Sequence, residues 1–96
     1  MNSNFVPLSA KELIAKINKI PRVNLALLPT VLEFAPNISK ELNINLYIKR
    51  DDCTALAFGG NKTRHLEFIM AKTLSKDYDC ILTGASSQSN FCRQAT

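Results

Sequence analysis

Apolar residues recur along this chain with two different periods, and the change of period marks the elements. Leu13, Ile14 and Ile17 fall on one stripe of a helix. The stretch Ser9-Ala10-Lys11-Glu12 before it has the spacing of a capping box, with Leu8 and Leu13 at the flanking apolar positions. Pro21 is expected to end that helix, and Met1 to Pro7 to be a loose lead-in. From Arg22 to Pro36 the helical period is lost. Leu25, Leu27, Leu28, Val31, Leu32 and Phe34, punctuated by Pro29 and Pro36, predict extended chain packed on a larger body. A short helix is expected from about Asn37 to Leu42, then a strand at Leu46-Tyr47-Ile48 with Lys49 and Arg50 at its carboxyl end. Asp51 to Phe58 reads as loop. Leu66, Ile69, Met70 and Leu74 then recur at helical spacing, predicting a helix from Lys62 to about Ser75 with Asn61 as its N-cap. Cys80-Ile81-Leu82 is a short apolar run suited to the interior of a parallel sheet. The small, polar stretch Gly84 to Asn90 is a loop, and a last helix starts near Ser89.

Strand, helix, strand, helix is the order of an α/β fold with a parallel sheet. Two chemistry-bearing loops lie next to helix N-termini, and the second follows a strand's carboxyl end, where open α/β sheets bind ligands. Composition narrows the function. The formal net charge of +4 is dispersed along the 96 residues without a basic block, which argues against a nucleic-acid partner. The three cysteines are far apart and His65 is the only histidine, so no metal site is expected. Unpaired cysteines suit a reducing compartment. No apolar run approaches the roughly 20 residues that span a bilayer, and the N-terminus lacks a signal-peptide core, so the expectation is a soluble cytoplasmic chain without a membrane partner.

The first loop is Gly59-Gly60-Asn61-Lys62. A lysine in the first turn of a helix is unusual, because the positive end of the helix dipole disfavours ammonium and favours anions. Such a lysine is biased toward the nucleophilic amine, with an anion site beside it; Schiff-base chemistry with a phosphorylated aldehyde needs both. A solvated lysine after a turn is the plainer alternative. A phosphate-binding P-loop fails on spacing, since Asn61 rather than glycine precedes Lys62. The second loop ends in Gln88-Ser89-Asn90. Free amides of the helix start there suit a carboxylate, the Asn90 amide suits a phenolate-like oxygen, and the Ser89 hydroxyl suits a proton relay. An N-cap serine beside a solvated asparagine is the plainer reading of the same residues.

Together the two loops resemble one family. Ile48 to Thr54, Leu56 to Arg64, Leu66-Glu67-Phe68, and Gln88-Ser89-Asn90 with Arg93-Gln94 are similar to the 1-aminocyclopropane-1-carboxylate deaminase/D-cysteine desulfhydrase family. Pro21-Arg22-Val23, Leu28-Pro29-Thr30 and Leu32-Glu33 extend the resemblance over nearly the whole chain from about Ser9. These are pyridoxal-phosphate enzymes of the tryptophan-synthase-beta-like fold (fold type II). The resemblance implies that Lys62 carries the cofactor and then serves as general base and acid at the substrate carbon. It implies that Asn90 bonds the pyridoxal O3' oxygen, that Asn61 and the glycines shape the cofactor pocket, and that Ser89, Asn90 and Gln88 meet the substrate, a small amino acid. D-cysteine desulfhydration is the first expectation, from the context of Asp52-Cys53-Thr54; 1-aminocyclopropane-1-carboxylate deamination and cysteate sulfo-lyase activity are the neighbouring ones. The chain departs from the pattern at His65, where a lysine is usual near the cofactor phosphate, and at Phe91, Ser86-Ser87, Val31 and Ala55. Family enzymes are several-fold longer and homo-oligomeric by expectation. Residues 1–96 are therefore expected to be the N-terminal portion of such an enzyme, cut before the sheet is complete. By themselves they are expected neither to fold stably nor to catalyse, and a non-catalytic remnant is the alternative of another class.

Overall fold

The computed structural model describes residues 6–96. Most of the expected lead-in, at residues 1–5, lies outside the described residues. Helix α1 (Ala10–Ile17) starts where the capping box placed it: the Ser9 amide donates to Glu12 Oε2 at 2.9 Å and the Glu12 amide donates back to Ser9 Oγ at 3.3 Å. It ends earlier than Pro21, at Ile17, because the Asn18 amide closes the last turn on the Ile14 carbonyl. Its stripe stays open to water, with Leu13, Ile14 and Ile17 all exposed.

Extended chain leads to strand β1 (Leu32–Phe34), which pairs with β2 (Tyr47–Lys49). The register sets Leu32 opposite Lys49, Glu33 opposite Ile48 and Phe34 opposite Tyr47. The Phe34 and Tyr47 rings meet at 5.2 Å between centroids, the aromatic cross-strand contact that favours this register. Between them α2 (Pro36–Leu42) starts with proline at its first position and stops at Asn43 in the left-handed conformation (φ 52°). Buried Ser39 closes the return, its hydroxyl accepting from the Leu46 amide at 2.9 Å.

The sheet among the described residues is thus two-stranded and antiparallel, not parallel. Residues 80–82, expected as a parallel strand, carry no strand pairing, since a strand exists only through its neighbour. Two 3₁₀ turns (Asp51–Thr54 and Leu56–Phe58) replace the expected loop and feed helix α3 (Lys62–Leu74). The last helix, α4 (Asn90–Ala95), packs against α3. The fold is a partial α/β fold. Its interior is polar: Leu66, at 2% exposure, is the one buried hydrophobic residue among those described, while Thr30, Ser39, Thr54, Thr63, Glu67 and Gln94 are all buried. No helix among the described residues is long and apolar enough to cross a membrane.

Candidate active site

The turn before Lys62 is built from polar hydrogen bonds. Thr54 is fully buried, and its Oγ accepts from the Gly60 amide at 2.9 Å while lying 2.9 Å from the Gly60 carbonyl. The Gly60 amide also donates to the Asp51 carbonyl at 2.9 Å. Thr63, in the first turn of α3, donates to Gln94 Oε1 at 2.9 Å, and Gln94 Nε2 donates to the Gly59 carbonyl at 2.6 Å. One buried glutamine therefore ties α4 both to the glycine turn and to the start of α3.

The two glycines are required by this packing. At Gly59 (φ +74°) a Cβ would stand 1.9 Å from the Asp52 carbonyl oxygen, and at Gly60 (φ +134°) it would stand 2.7 Å from Gln94 Nε2. The glycines let the turn close on its own backbone and on Gln94. Ala55, Ala57 and Phe58 also take positive φ, which costs free energy at residues with a Cβ. Backbone strain of this kind gathers at functional sites when the surroundings hold it in place. Here those surroundings are Thr54, Asp51 and Gln94.

Charged pairs brace the turn from two sides. Arg64 grips Asp51 with Nε and Nη2, both at 2.8 Å, and Thr30 Oγ donates to the same carboxylate at 3.0 Å. The Arg64 hydrogen bonds hold the Asp51 carboxyl down at about 2, against the opposing effect of burial. Glu67 is 1% exposed and accepts from the Leu25 amide at 3.0 Å, the Ala26 amide at 2.9 Å and Arg22 Nε at 2.5 Å. Burial pushes its carboxyl up, but the two amides and Arg22 outweigh burial, and the net shift is downward. Through Glu67 the 22–26 segment is pinned to α3, and the Leu27 amide continues the contact to the Thr54 carbonyl at 3.1 Å.

The sequence-predicted residues fall into this frame as follows. Lys62 opens α3, is half-buried, and forms no ion pair among the described residues. Asn61 does not cap: its backbone is already helical (φ −67°, ψ −18°), whereas a side-chain cap needs extended backbone, and its side chain makes no capping bond. Ser89 is the N-cap of α4, its Oγ accepting from the Cys92 amide at 3.3 Å. Asn90 is exposed, and its Oδ1 accepts from Arg93 Nη2 at 3.2 Å. Gln88 is exposed in the turn before Ser89. Lys62 and Asn90 thus stand at the first positions of two helices joined by Gln94, and Arg93 of the second helix reaches the Gly59 carbonyl at 3.3 Å. The hollow beside this hub, about 200 Å³, is lined by Leu25, Leu56, Leu66, Met70 and Gln94 among others, and by none of Lys62, Ser89 or Asn90.

With this geometry in hand, the chain has clear relatives. It is 45% identical over 78 residues to D-cysteine desulfhydrases of Salmonella paratyphi B and Salmonella newport, matching 81% of this chain and 24% of theirs. It is 43% identical over 79 residues to a Pyrococcus horikoshii protein provisionally named 1-aminocyclopropane-1-carboxylate deaminase, again 24% of that protein. The crystal structure of an ACC deaminase homologue superposes with a TM-score of 0.79 at 42% identity, over 88% of this chain and 26% of that one. The chain belongs to the 1-aminocyclopropane-1-carboxylate deaminase/D-cysteine desulfhydrase family. No family model matches it. It spans about a quarter of the length of the family members it matches.

The residues missed in the sequence as contributors to the site are the buried polar ones. Thr63 and Glu67 lie on the same face of α3 as Leu66 and Met70, at helical spacing. A carboxylate on the apolar face of a helix is itself a signal of a buried, satisfied anion. Thr54 and Gln94 carry no such periodic signal.

Proposed function

We propose that these residues form the lysine-bearing part of a pyridoxal-phosphate enzyme acting on a small amino acid. The observation that carries this reading is the tie between the two helix starts that bear Lys62 and Asn90: Gln94 of α4 accepts from Thr63 of α3 and donates to Gly59 of the strained turn that Thr54 also locks. The donor set fits the cofactor. Lys62 offers an amine without an ion-pair partner among the described residues, and Asn90 offers an amide whose oxygen is already engaged. When bound, the cofactor supplies an aldehyde for attachment and a ring that withdraws electrons from the substrate carbon.

In this reading Lys62 anchors the cofactor and then takes and returns the proton at the substrate carbon. The Asn90 amide donates to the ring's O3' oxygen. Ser89 binds the substrate carboxylate or relays a proton. Its capping bond uses an oxygen lone pair, so its O–H remains available for that task. Gln88 and Asn90 complete the substrate side, and Asn61 borders the cofactor. D-cysteine is the substrate we favour, with water consumed and pyruvate, ammonia and hydrogen sulfide released. Its support is the Asp52-Cys53-Thr54 context and the 45% identity to D-cysteine desulfhydrases. Ring opening of 1-aminocyclopropane-1-carboxylate is the second reading, favoured by the superposition on the ACC deaminase homologue.

The test uses a full-length family enzyme carrying these residues. Lys62→Ala is expected to abolish both turnover and the visible absorbance of the bound cofactor. A borohydride-reducible protein–cofactor link that persists in this variant would reject Lys62. Assays of the unmodified enzyme with D-cysteine, cysteate and 1-aminocyclopropane-1-carboxylate, read as pyruvate, sulfide, sulfite and 2-oxobutyrate, decide the substrate.

A further inference from the structure

Arg93 is a cation without a carboxylate partner among the described residues. Its Nη2 donates to Asn90 Oδ1 at 3.2 Å and to the Gly59 carbonyl at 3.3 Å, its guanidinium carbon lies 5.8 Å from the centre of the Phe58 ring, and its Nη1 is buried without a partner. A clasp between α4 and the glycine turn does not require it, because Gln94 Nε2 already holds the same Gly59 carbonyl at the shorter distance of 2.6 Å. What Arg93 does on its own helix, and Gln94 does not, is read the Asn90 amide. A guanidinium has donors and no acceptor, so only the carbonyl end of that amide can face it. Arg93 and Asn90 are three residues apart on one helix, the spacing at which side chains meet. With Oδ1 turned toward Arg93, the Nδ2 hydrogens are turned away from it.

We propose that Arg93 is a positioning residue that fixes Asn90 as a hydrogen-bond donor toward the cofactor's phenolate oxygen. This rests on the reading of Asn90 as the partner of that oxygen. An unrestrained asparagine amide has two orientations of similar shape, and one of them presents a carbonyl oxygen to an anionic oxygen. Arg93 removes that orientation, and its contact with Gly59 keeps Asn90 in register with the turn that carries Lys62.

The experiment compares Arg93→Met, Arg93→Lys, Asn90→Ala and the Arg93→Met/Asn90→Ala pair in the cofactor-loaded full-length enzyme. The readouts are the pH midpoint of the visible absorption band, kcat/KM and the melting temperature. Arg93→Met is expected to move the midpoint in the same direction as Asn90→Ala and to lower kcat/KM roughly tenfold, the scale of one hydrogen bond to a charged group. The pair is expected to move the midpoint no further than Asn90→Ala alone. Arg93→Lys, which keeps a donor but loses the fork, is expected to fall between wild type and Arg93→Met, and it carries the test if Arg93→Met does not fold. A midpoint unchanged in both Arg93 variants while Asn90→Ala moves it would overturn the proposal and leave Arg93 a structural contact. A midpoint unchanged in Asn90→Ala as well would reject the reading of Asn90, and the proposal with it.

Discussion

Two stretches of this chain lie against each other and are held in opposite ways. Around Gly59 and Gly60 the buried side chains among the described residues are polar but for Leu66, and Thr54, Thr63, Glu67 and Gln94 each find partners within the chain. Along the preceding extended run the backbone is paired, yet the apolar side chains Leu27, Val31 and Leu32 face water, at 69%, 64% and 62% exposure. Hydrogen bonds are directional and saturable, so a handful of residues at the right places completes the first region. Hydrophobic stabilisation scales with area removed from water, and no local arrangement of a few residues supplies it. The turn that presents Lys62 is therefore specified by its own neighbourhood. The stability of the whole has to come from apolar surface that these residues leave uncovered.

The largest test of that contrast is the chain in isolation. Residues 1–96 expressed alone are expected to show no cooperative thermal melt and no pyruvate release from D-cysteine with added cofactor. The one buried hydrophobic residue among those described cannot offset an ordering cost of about 1–2 kcal/mol per residue. A sharp calorimetric transition would show that the polar hub suffices. Next in size is Glu67→Ala in the full-length enzyme, which strands the Leu25 and Ala26 amides. The expected loss is about 2–5 kcal/mol by denaturant unfolding, the cost of leaving two amides without their acceptor, while Arg22, a third exposed, is hydrated. Gly59→Ala should cost at least about 2 kcal/mol, because the left-handed backbone penalty adds to the collision with the Asp52 carbonyl.

A smaller effect is expected with acid. The Asp51 carboxyl sits at about 2 in the folded protein, below its usual value of 3.8. A carboxyl depressed on folding stabilises fully above its unfolded value, and the stabilisation is lost as pH falls through the folded one. The Asp51–Arg64 brace should thus hold at pH 5 and weaken between about pH 4 and pH 2. Amide exchange at Gly60, followed with pH, measures it, and Asp51→Asn should flatten that part of the profile. The smallest effect should come from the other region. Leu27→Ser and Val31→Ser, at positions 69% and 64% exposed, should leave the helix content of the isolated chain unchanged by circular dichroism while lowering its binding of a hydrophobic dye.

The sequence was informative where the signal is local. Ser9 and Glu12 announce α1, Ser89 announces α4, and the stripe from Leu66 to Leu74 announces α3, because each is satisfied within one or two turns of chain. Leu46-Tyr47-Ile48 was recognisable as a strand, but its partner was legible only as extended chain, since Leu32–Phe34 becomes a strand by pairing with Tyr47–Lys49. The apolar run at 80–82 has strand composition without a paired neighbour, and composition alone does not make a ladder. Asn61 was misread as a cap because residue type says nothing of backbone angle. Lys62, Ser89 and Asn90 were identifiable as candidates from their loops and from family resemblance. Gln94 and Thr54 were not, because the bonds from Gln94 to Gly59 and from Thr63 to Gln94 cross 35 and 31 residues with no repeating pattern to betray them.

The Glu67 contact also fixes an order of events during synthesis. Arg22 and its neighbours leave the ribosome long before the carboxylate that will hold them, for the two partners stand 45 residues apart. At about 5–20 residues per second that interval is roughly 2–9 seconds. Throughout it the Leu25 and Ala26 amides are without the carboxylate that will accept from them. The moment at which this segment ceases to be available to a chaperone is set by the emergence of α3.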